Sequence, residues 1–234
     1  MASFTTFIPS AQVVADGQPR FQVPTMPEHP GWSAAAAEEE AGGVSAEVRT
    51  FLDAQLGSGD VVIDLAPGFG FVALSATTAP GGMPTVFVAG LDDDRMQVLQ
   101  DAAVDAGGWL DALPADALPE LASYATSRLE PDGRVIVHCE PSQLAQLSEW
   151  LAPLLADHRV LAICLSGAAT VADWSAVESL LTGMGFSACA IVDKDGELMV
   201  VRSVGTPTAD VIALPQSLLD DDGDAGADGS NGAP

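Results

Sequence analysis

The sequence has little positive charge. Its 234 residues contain eight lysines and arginines against 33 aspartates and glutamates, so the formal net charge is −25. Lys194 is the single lysine. Binding to a nucleic-acid backbone needs a basic surface that displaces counterions from phosphates, and the composition excludes that function. The same acidity disfavours electrostatic attachment to an anionic membrane surface.

Long apolar runs and cysteines are also scarce. No apolar run approaches the ~20 residues of a membrane-spanning helix. The N-terminal sequence lacks the basic and apolar regions of a secretory signal, so we expect a cytoplasmic protein. The three cysteines (Cys139, Cys164 and Cys189) are an odd number in apolar segments. This pattern favours buried, reduced thiols over disulfides or a metal site.

Three segments of different composition follow one another along the chain. Residues 1–43 carry prolines at positions 9, 19, 24, 27 and 30, which predict an extended arm and linker. Residues 44–205 alternate apolar runs with amphipathic stretches, as in an α/β domain. Residues 206–234 end in DDDGDAGADGSNGAP, which predicts an acidic, low-complexity tail.

The central segment predicts a Rossmann-like, three-layer α/β fold. Near-continuous apolar runs, typical of strands covered on both faces, lie near residues 61–65, 85–90, 134–139, 159–165, 188–193 and 197–203. Lys194-Asp195-Gly196 separates the last two runs and favours a hairpin. We therefore expect a mainly parallel sheet with an antiparallel C-terminal hairpin.

The stretch VVIDLAPGFGFVAL, residues 61–74, combines a strand, a glycine-rich turn and the start of a helix. In nucleotide-binding α/β folds this order brings the backbone close to a ligand at the carboxyl end of the strand. The dinucleotide pattern G-x-G-x-x-G is not met, because residue 73 is alanine. A phosphate-binding P-loop is excluded, because no Gly-Lys-Ser/Thr follows.

This stretch resembles the S-adenosylmethionine-dependent class I methyltransferases, most closely the FkbM type. Residues 64–71 align with that family's Asp-Ile-Gly-Ala-Asn-Ile-Gly-Tyr signature. Residues 138–151 resemble its Asp-Val-Glu-Gly-x-Glu-x-x-Val-Leu segment, with Glu140 on the first glutamate. The resemblance covers residues 44–203. It implies a cofactor site formed by Asp64, Ala66, Gly68 and Gly70, with Asp92 replacing the acid that binds the ribose.

Several positions depart from the family pattern at the expected ligand edge. They are Ala66 for a glycine, Gly90 for the ribose acid, His138 for an aspartate, Pro141 for a glycine, and Leu165 or Ser166 for a glutamate. Losing the ribose acid removes hydrogen bonds worth about 1.5–3 kcal/mol each. The departures predict a degenerate site that binds S-adenosylmethionine weakly or not at all.

Each candidate residue has a structural alternative. Asp64 either belongs to a cofactor loop or caps its own turn. His138 is either a hydrogen-bonded core histidine or a general base, and Glu140 is either a general base or a cap for the helix near Ser142. His29 and His158 have no second ligand at metal spacing, so no metal site is expected.

Three functions follow from these observations. The first is a non-catalytic, methyltransferase-like accessory subunit of a larger protein assembly, for which peripheral association with a membrane complex is one setting. The second is an active O-methyltransferase acting on a small molecule or glycan, with S-adenosylmethionine as cofactor and His138 or Glu140 as base. The third is a binder of another nucleotide or cofactor. In the first, the arm contacts protein partners, or packs on its own domain, through Phe4, Phe7, Ile8, Phe21, Val23 and Trp32. The alternative is a flexible leader that makes no specific contacts.

Overall fold

The computed structural model describes residues 4–6, 46–68, 70–113, 115–168, 171–194, 197–202, 205–207 and 210–220. The strands are β1 (Phe4–Thr6), β2 (Val61–Asp64), β3 (Thr85–Ala89), β4 (Asp111–Leu113), β5 (Val135–Cys139), β6 (Val160–Leu165), β7 (Phe186–Lys194), β8 (Glu197–Arg202) and β9 (Val211–Pro215). The α-helices are α1 (Ala46–Gln55), α2 (Phe71–Thr77), α3 (Asp93–Asp105), α4 (Leu121–Arg128), α5 (Leu144–Trp150), α6 (Ala152–Ala156), α7 (Trp174–Gly183) and α8 (Gln216–Asp220).

The described strands form one mixed sheet in the order β1-β8-β7-β9-β6-β5-β2-β3-β4. Strands β4, β3, β2, β5 and β6 run parallel to one another, while β9 is antiparallel to both β6 and β7. The predicted hairpin joins β7 and β8 in antiparallel register, with Lys194 opposite Glu197. The expected fold class, a mainly parallel sheet with antiparallel C-terminal strands, is confirmed.

The helices cover both faces of the sheet because the buried strands carry apolar side chains on both sides. Val61 and Ile63 of β2 belong to one core with residues of α4, α5, α6 and α7. Val62, the residue between them, belongs to a second core with residues of α1, α2, α3 and α8. This alternation is the period-2 geometry of a strand, and it gives the three layers.

The C-terminal strand lies in a segment that the sequence analysis assigned to the acidic tail. Strand β9 inserts between β6 and β7, and its first four residues are buried. Leu219 of α8 is also buried, at 3% exposure. The α/β domain therefore extends to Asp220 rather than ending at residue 205, because the apolar run VIALP is required to complete the sheet.

The N-terminal arm contributes a strand to its own domain. Phe4–Thr6 forms β1, which pairs antiparallel with β8 at one edge of the sheet, with Phe4 opposite Val201. The other proposed anchors (Phe7, Ile8, Phe21, Val23 and Trp32) lie outside the described residues. For Phe4, the backbone pairing corresponds to the alternative in which the arm packs on its own domain. No helix among the described residues is both long and apolar enough to span a membrane.

Candidate functional site

The carboxyl ends of three neighbouring parallel strands meet at the point where the strand order reverses. Asp64 ends β2, His138 lies opposite it on β5, and Ser166 directly follows β6. The registers fix this alignment, because Asp64 pairs with His138 and His138 pairs with Cys164. Open α/β sheets bind ligands at this edge, in the crevice beside the switch point.

The side chains of these three residues form one hydrogen-bonded chain. Nδ1 of His138 lies 2.7 Å from Oδ1 of Asp64, and its Nε2 contacts the hydroxyl of Ser166. Because a carboxylate can only accept, the arrangement fits the tautomer with the proton on Nδ1. In that tautomer Nε2 accepts the hydrogen bond from Ser166. The histidine is therefore held from both sides in one orientation.

The three hydrogen-bonded side chains differ in their exposure to solvent. The side chains of Asp64 and His138 are 0% and 3% exposed, whereas Ser166 is partly exposed. Oδ1 of Asp64 also accepts the backbone N–H of Ala66 at 3.1 Å, as an Asx turn requires. Its Oδ2 is buried without a hydrogen-bond partner among the described residues. Asp64 thus caps its turn and orients His138, while Ser166 reaches the surface of the site.

A cavity of about 650 Å³ lies over this edge of the sheet. Its lining includes Ala66, Gly68, His138, Glu140 and Ser166. Four of the sequence candidates are thereby brought to one site, together with a serine that the sequence analysis named only as a departure from a family pattern. The hydroxyl of Ser166 could be assigned a role only once the strand order placed it beside His138.

The glycine-rich turn between β2 and α2 has the backbone that its sequence predicts. Gly68 and Gly70 have φ values of +52° and +87°, in the left-handed region that favours glycine. A side chain at Gly70 would collide with Leu99, which α3 presents to the buried core. Gly70 is therefore needed for the close packing of the turn against α3, whereas a Cβ atom at Gly68 would meet no atom within 4 Å.

Asp92, which the family resemblance implied as the replacement for the ribose acid, lies between β3 and α3. It is the N-cap of α3, where Oδ1 accepts the backbone N–H of Arg95 at 2.9 Å. Its Oδ2 accepts from Nε of the same arginine at 2.7 Å. Arg95, rather than an acid, then lines the cavity from the β3 side. The carboxylate of Asp92 serves the start of α3.

Glu140 lies at the rim of the cavity, where it is exposed. Its backbone N–H donates to Oε1 of Gln143 at 2.8 Å, and Ser142 donates to its carboxylate at 3.4 Å. Glu140 precedes a short 3₁₀ helix, Pro141–Gln143, that leads into α5. The geometry therefore places Glu140 at a helix start, as the capping alternative proposed, and on the cavity wall.

The three cysteines are free and buried, as predicted. Removal from solvent raises the pKa of the Cys139 and Cys164 thiols far above the ordinary range, with a further contribution from the Asp64 carboxylate. Burial raises the pKa of Cys189 to about 11. Thiols held in this form are poor nucleophiles and poor metal ligands. Within the described ranges, no three His, Cys, Asp or Glu side chains form a group that could hold a metal ion.

The fold of this chain is similar to those of several solved protein structures. No protein-family model matches the chain, and no curated protein sequence matches it. A precorrin-6y C5,15-methyltransferase from Geobacter metallireducens aligns at 17% identity over 72% of this chain and 87% of its own, with a TM-score of 0.45. Cofactor-bound Rv0187 from MTB aligns at 18% identity over 79% and 89%, with a TM-score of 0.48.

A third solved structure is a SAM-dependent methyltransferase from Aquifex aeolicus. It aligns at 16% identity over 72% of this chain and 88% of its own, with a TM-score of 0.38. The solved structures to which this chain is similar thus include S-adenosylmethionine-dependent methyltransferases. Because these TM-scores are below 0.5, the similarities assign neither a family nor an activity to this chain.

Proposed function

We propose that this chain is a methyltransferase-like α/β domain that does not use S-adenosylmethionine, and that its cavity holds another small organic ligand. In this proposal the domain is an accessory part of a larger protein assembly and performs no methyl transfer. The observation that carries the proposal is the end of β3, where the residues that would bind a ribose are either absent or engaged within the protein.

The first element of the support is Gly90, which follows β3 where the resembled family has an acid. It is exposed and has a φ of +83°, and a Cβ atom there would meet nothing within 4 Å. The end of this strand therefore has room for a side chain and has none. A ribose bound here would lack its charged acceptor, and each such hydrogen bond is worth about 1.5–3 kcal/mol.

The second element is the engagement of the two nearby aspartates that were expected to bind the cofactor. Both carboxylate oxygens of Asp92 accept hydrogen bonds from Arg95. The carboxylate of Asp64 has no exposed surface and bonds to His138 and to the backbone of Ala66. The buried carboxylate of Asp64 is out of reach of a ligand in the cavity, and a ribose at Asp92 would share a carboxylate already paired with Arg95.

The third element is Ala66, which lines the cavity where the resembled family has the first loop glycine. Ala66 carries a methyl group that glycine lacks, in a turn fixed by the hydrogen bond from its N–H to Asp64. Glycines at such turns allow the backbone to come close to a cofactor. Taken together, the residues present do not fit S-adenosylmethionine.

Isothermal titration of the purified full chain with S-adenosylmethionine tests the cofactor claim. We expect no saturable heat at cofactor concentrations up to the millimolar range. A dissociation constant in the low micromolar range that Asp64→Ala abolishes would contradict the proposal. That result would favour an active O-methyltransferase of the FkbM type, with His138 as the general base.

The accessory role is tested separately, through the arm. It rests on the arm's apolar side chains, which include three phenylalanines at positions 4, 7 and 21. We expect the full-length chain in a native extract at moderate salt to migrate as a large assembly, and a chain lacking residues 1–32 to migrate as a free domain. The melting temperature of that domain should fall only slightly, because the deletion removes the three-residue edge strand β1. A full-length chain that migrates as a monomer would contradict the assembly role.

A further inference from the structure

We propose that Ser166 is a nucleophile, activated by His138 and positioned through Asp64, that attacks a small carboxylic ester bound in the cavity. This inference deepens the proposed function and rests on it, because it requires a cavity that S-adenosylmethionine does not fill. It assigns a covalent chemistry to Ser166 and His138, which the family resemblance marks only as departures.

The contacts supply the first part of the case. The hydroxyl of Ser166 contacts Nε2 of His138, and Nδ1 of the same ring lies 2.7 Å from Asp64. Serine nucleophiles are activated in this way, by a histidine that a carboxylate holds in the correct tautomer. The recognition depends on geometry and on the role of each group, so the order of the residues along the chain does not matter.

Rigidity supplies the second part. The backbone N–H of Ser166 donates to the carbonyl of Cys139 at 3.1 Å, which ties the serine to β5 just after β6 ends. Gly167 turns the chain with a φ of +71°, and its N–H donates to Asp210 at 3.1 Å. His138 is buried between its two partners. The nucleophile and its base are therefore placed before a substrate binds, which lowers the entropy lost on the way to reaction.

Exposure supplies the third part. Asp64 and His138 are shielded from solvent, but Ser166 is partly exposed and lines the cavity. A substrate can consequently reach the hydroxyl, and the small part of His138 that lines the cavity is open to a water molecule there. If the three groups only joined the strands, the serine would have no need to face a cavity of about 650 Å³.

The walls indicate the class of substrate. The larger aliphatic and aromatic residues that line the cavity are Leu65, Phe71, Val72, Leu91 and Val171. They suit a hydrocarbon acyl or alkyl group. We therefore assign the site to esters of short carboxylic acids, with the carbonyl at Ser166 and the apolar part against these side chains.

The reaction balances without a metal ion or a redox partner. Oγ of Ser166 forms a bond to the ester carbonyl carbon while its proton passes to Nε2 of His138. The carbon–oxygen bond to the alcohol then breaks, and the leaving oxygen takes the proton from His138. A water molecule, giving its proton to His138, attacks the acyl-serine, and the carboxylic acid is released as Ser166 recovers its proton.

The chain contains a matched control, because Ser142 lines the same cavity and contacts Glu140 rather than His138. The test is to incubate the full-length protein with an alkyl fluorophosphonate. This reagent forms a phosphorus–oxygen bond to an activated serine and releases fluoride. Mass spectrometry of the intact chain and of its peptides then gives the extent and position of labelling. Ser166→Ala and Ser142→Ala each remove one hydroxyl, and circular dichroism confirms that both remain folded.

We expect one label on Ser166, no label in Ser166→Ala, and a label still on Ser166 in Ser142→Ala. His138→Gln should slow labelling by about 100-fold or more, the range of general-base effects. Asp64→Asn, a change at a positioning residue, should lower the maximal labelling rate without altering the reagent concentration for half-maximal rate. Hydrolysis of p-nitrophenyl acetate should fall in the same order.

A folded wild-type chain that is not labelled, or equal labelling of Ser142, would overturn the nucleophile assignment. If His138→Gln does not fold, the comparison of the two serine variants decides alone. Failure of labelling together with absent S-adenosylmethionine binding overturns this inference and leaves the proposed function standing. Micromolar S-adenosylmethionine binding overturns the proposed function, whatever the labelling result.

Discussion

Asp60 and Asp64 lie at opposite ends of β2. Asp60 is hydrogen-bonded to Arg134, just before β5, and Asp64 is hydrogen-bonded to His138 within β5. Asp60 precedes the strand, and its Oδ1 accepts the backbone N–H of Arg134 at 2.7 Å. Asp64 ends the strand, with Oδ1 2.7 Å from Nδ1 of His138. Both carboxyls are buried. The first therefore holds the sheet together far from the cavity, and the second orients a group on the cavity wall.

This division of roles predicts that Asp60→Asn destabilises the fold without affecting the site. Asp60 also accepts the N–H of Gly57 at 2.9 Å, so the substitution weakens two partly buried hydrogen bonds to a charged acceptor. We expect a loss of about 2–3 kcal/mol in the free energy of unfolding, measured by urea denaturation. The rate of fluorophosphonate labelling at Ser166 should not change. A loss of labelling in the folded variant would contradict the separation of the two ends.

The glycine turn gives a second prediction, in which two glycines serve as each other's control. Gly70→Ala puts a methyl group against Leu99 at a φ of +87°, whereas Gly68→Ala has open space at a φ of +52°. Gly68→Ala should cost about 1 kcal/mol of stability, from backbone strain alone. Gly70→Ala should lower the free energy of unfolding by a further ~1–3 kcal/mol, because Leu99 must move to make room for the methyl group. Thermal or urea unfolding of the two variants measures the difference, and equal losses would contradict it.

The cysteines give a prediction about pH. With the pKa of Cys189 near 11, about one Cys189 thiol in a thousand is ionised at pH 8 in the folded protein. A thiol reagent should therefore react slowly with all three cysteines at pH 8 and rapidly in denaturant. Because the folded pKa values are raised above the ordinary value of 9.0, the unfolded chain ionises first. Stability should fall as the pH rises beyond about 9. Fast reaction of native thiols at pH 8 would contradict their burial.

Much of the sheet was predictable because its strands are buried on both faces. Strands β2, β3, β5 and β6 are continuous apolar runs, and each appears where the sequence analysis placed it. Strand β4 has three residues, too few to show a period. Strand β9 was assigned to the tail because its flanking residues are polar and acidic. Its place between β6 and β7 depends on pairings that local sequence does not specify.

The sequence identified several residues of the site, but it did not show that their side chains contact one another. Asp64 and His138 are recognisable as polar residues at the ends of apolar strands, and both reach the predicted edge. Their contact depends on the β2–β5 register, and the contact with Ser166 depends on β6 lying next to β5. A serine after a strand carries no chemical signal until these neighbours are known. Asp92 was predicted to bind the ribose, because its position in the sequence is compatible with a ribose contact as well as with a helix N-cap.

The central claim of the proposal is that the end of β3 does not support S-adenosylmethionine binding. Placing an acid at that end, together with a glycine at residue 66, tests it most directly. Calorimetric titration should compare the wild type with Ala66→Gly/Gly90→Asp, and with Ala66→Gly/Gly90→Asn as an uncharged control. Aspartate and asparagine tolerate the left-handed backbone of Gly90, and a Cβ atom meets no neighbour there. We expect no saturable binding by the wild type, measurable binding by the aspartate variant, and weaker binding by the asparagine control. Low-micromolar binding by the wild type, not tightened by the aspartate, would contradict the claim.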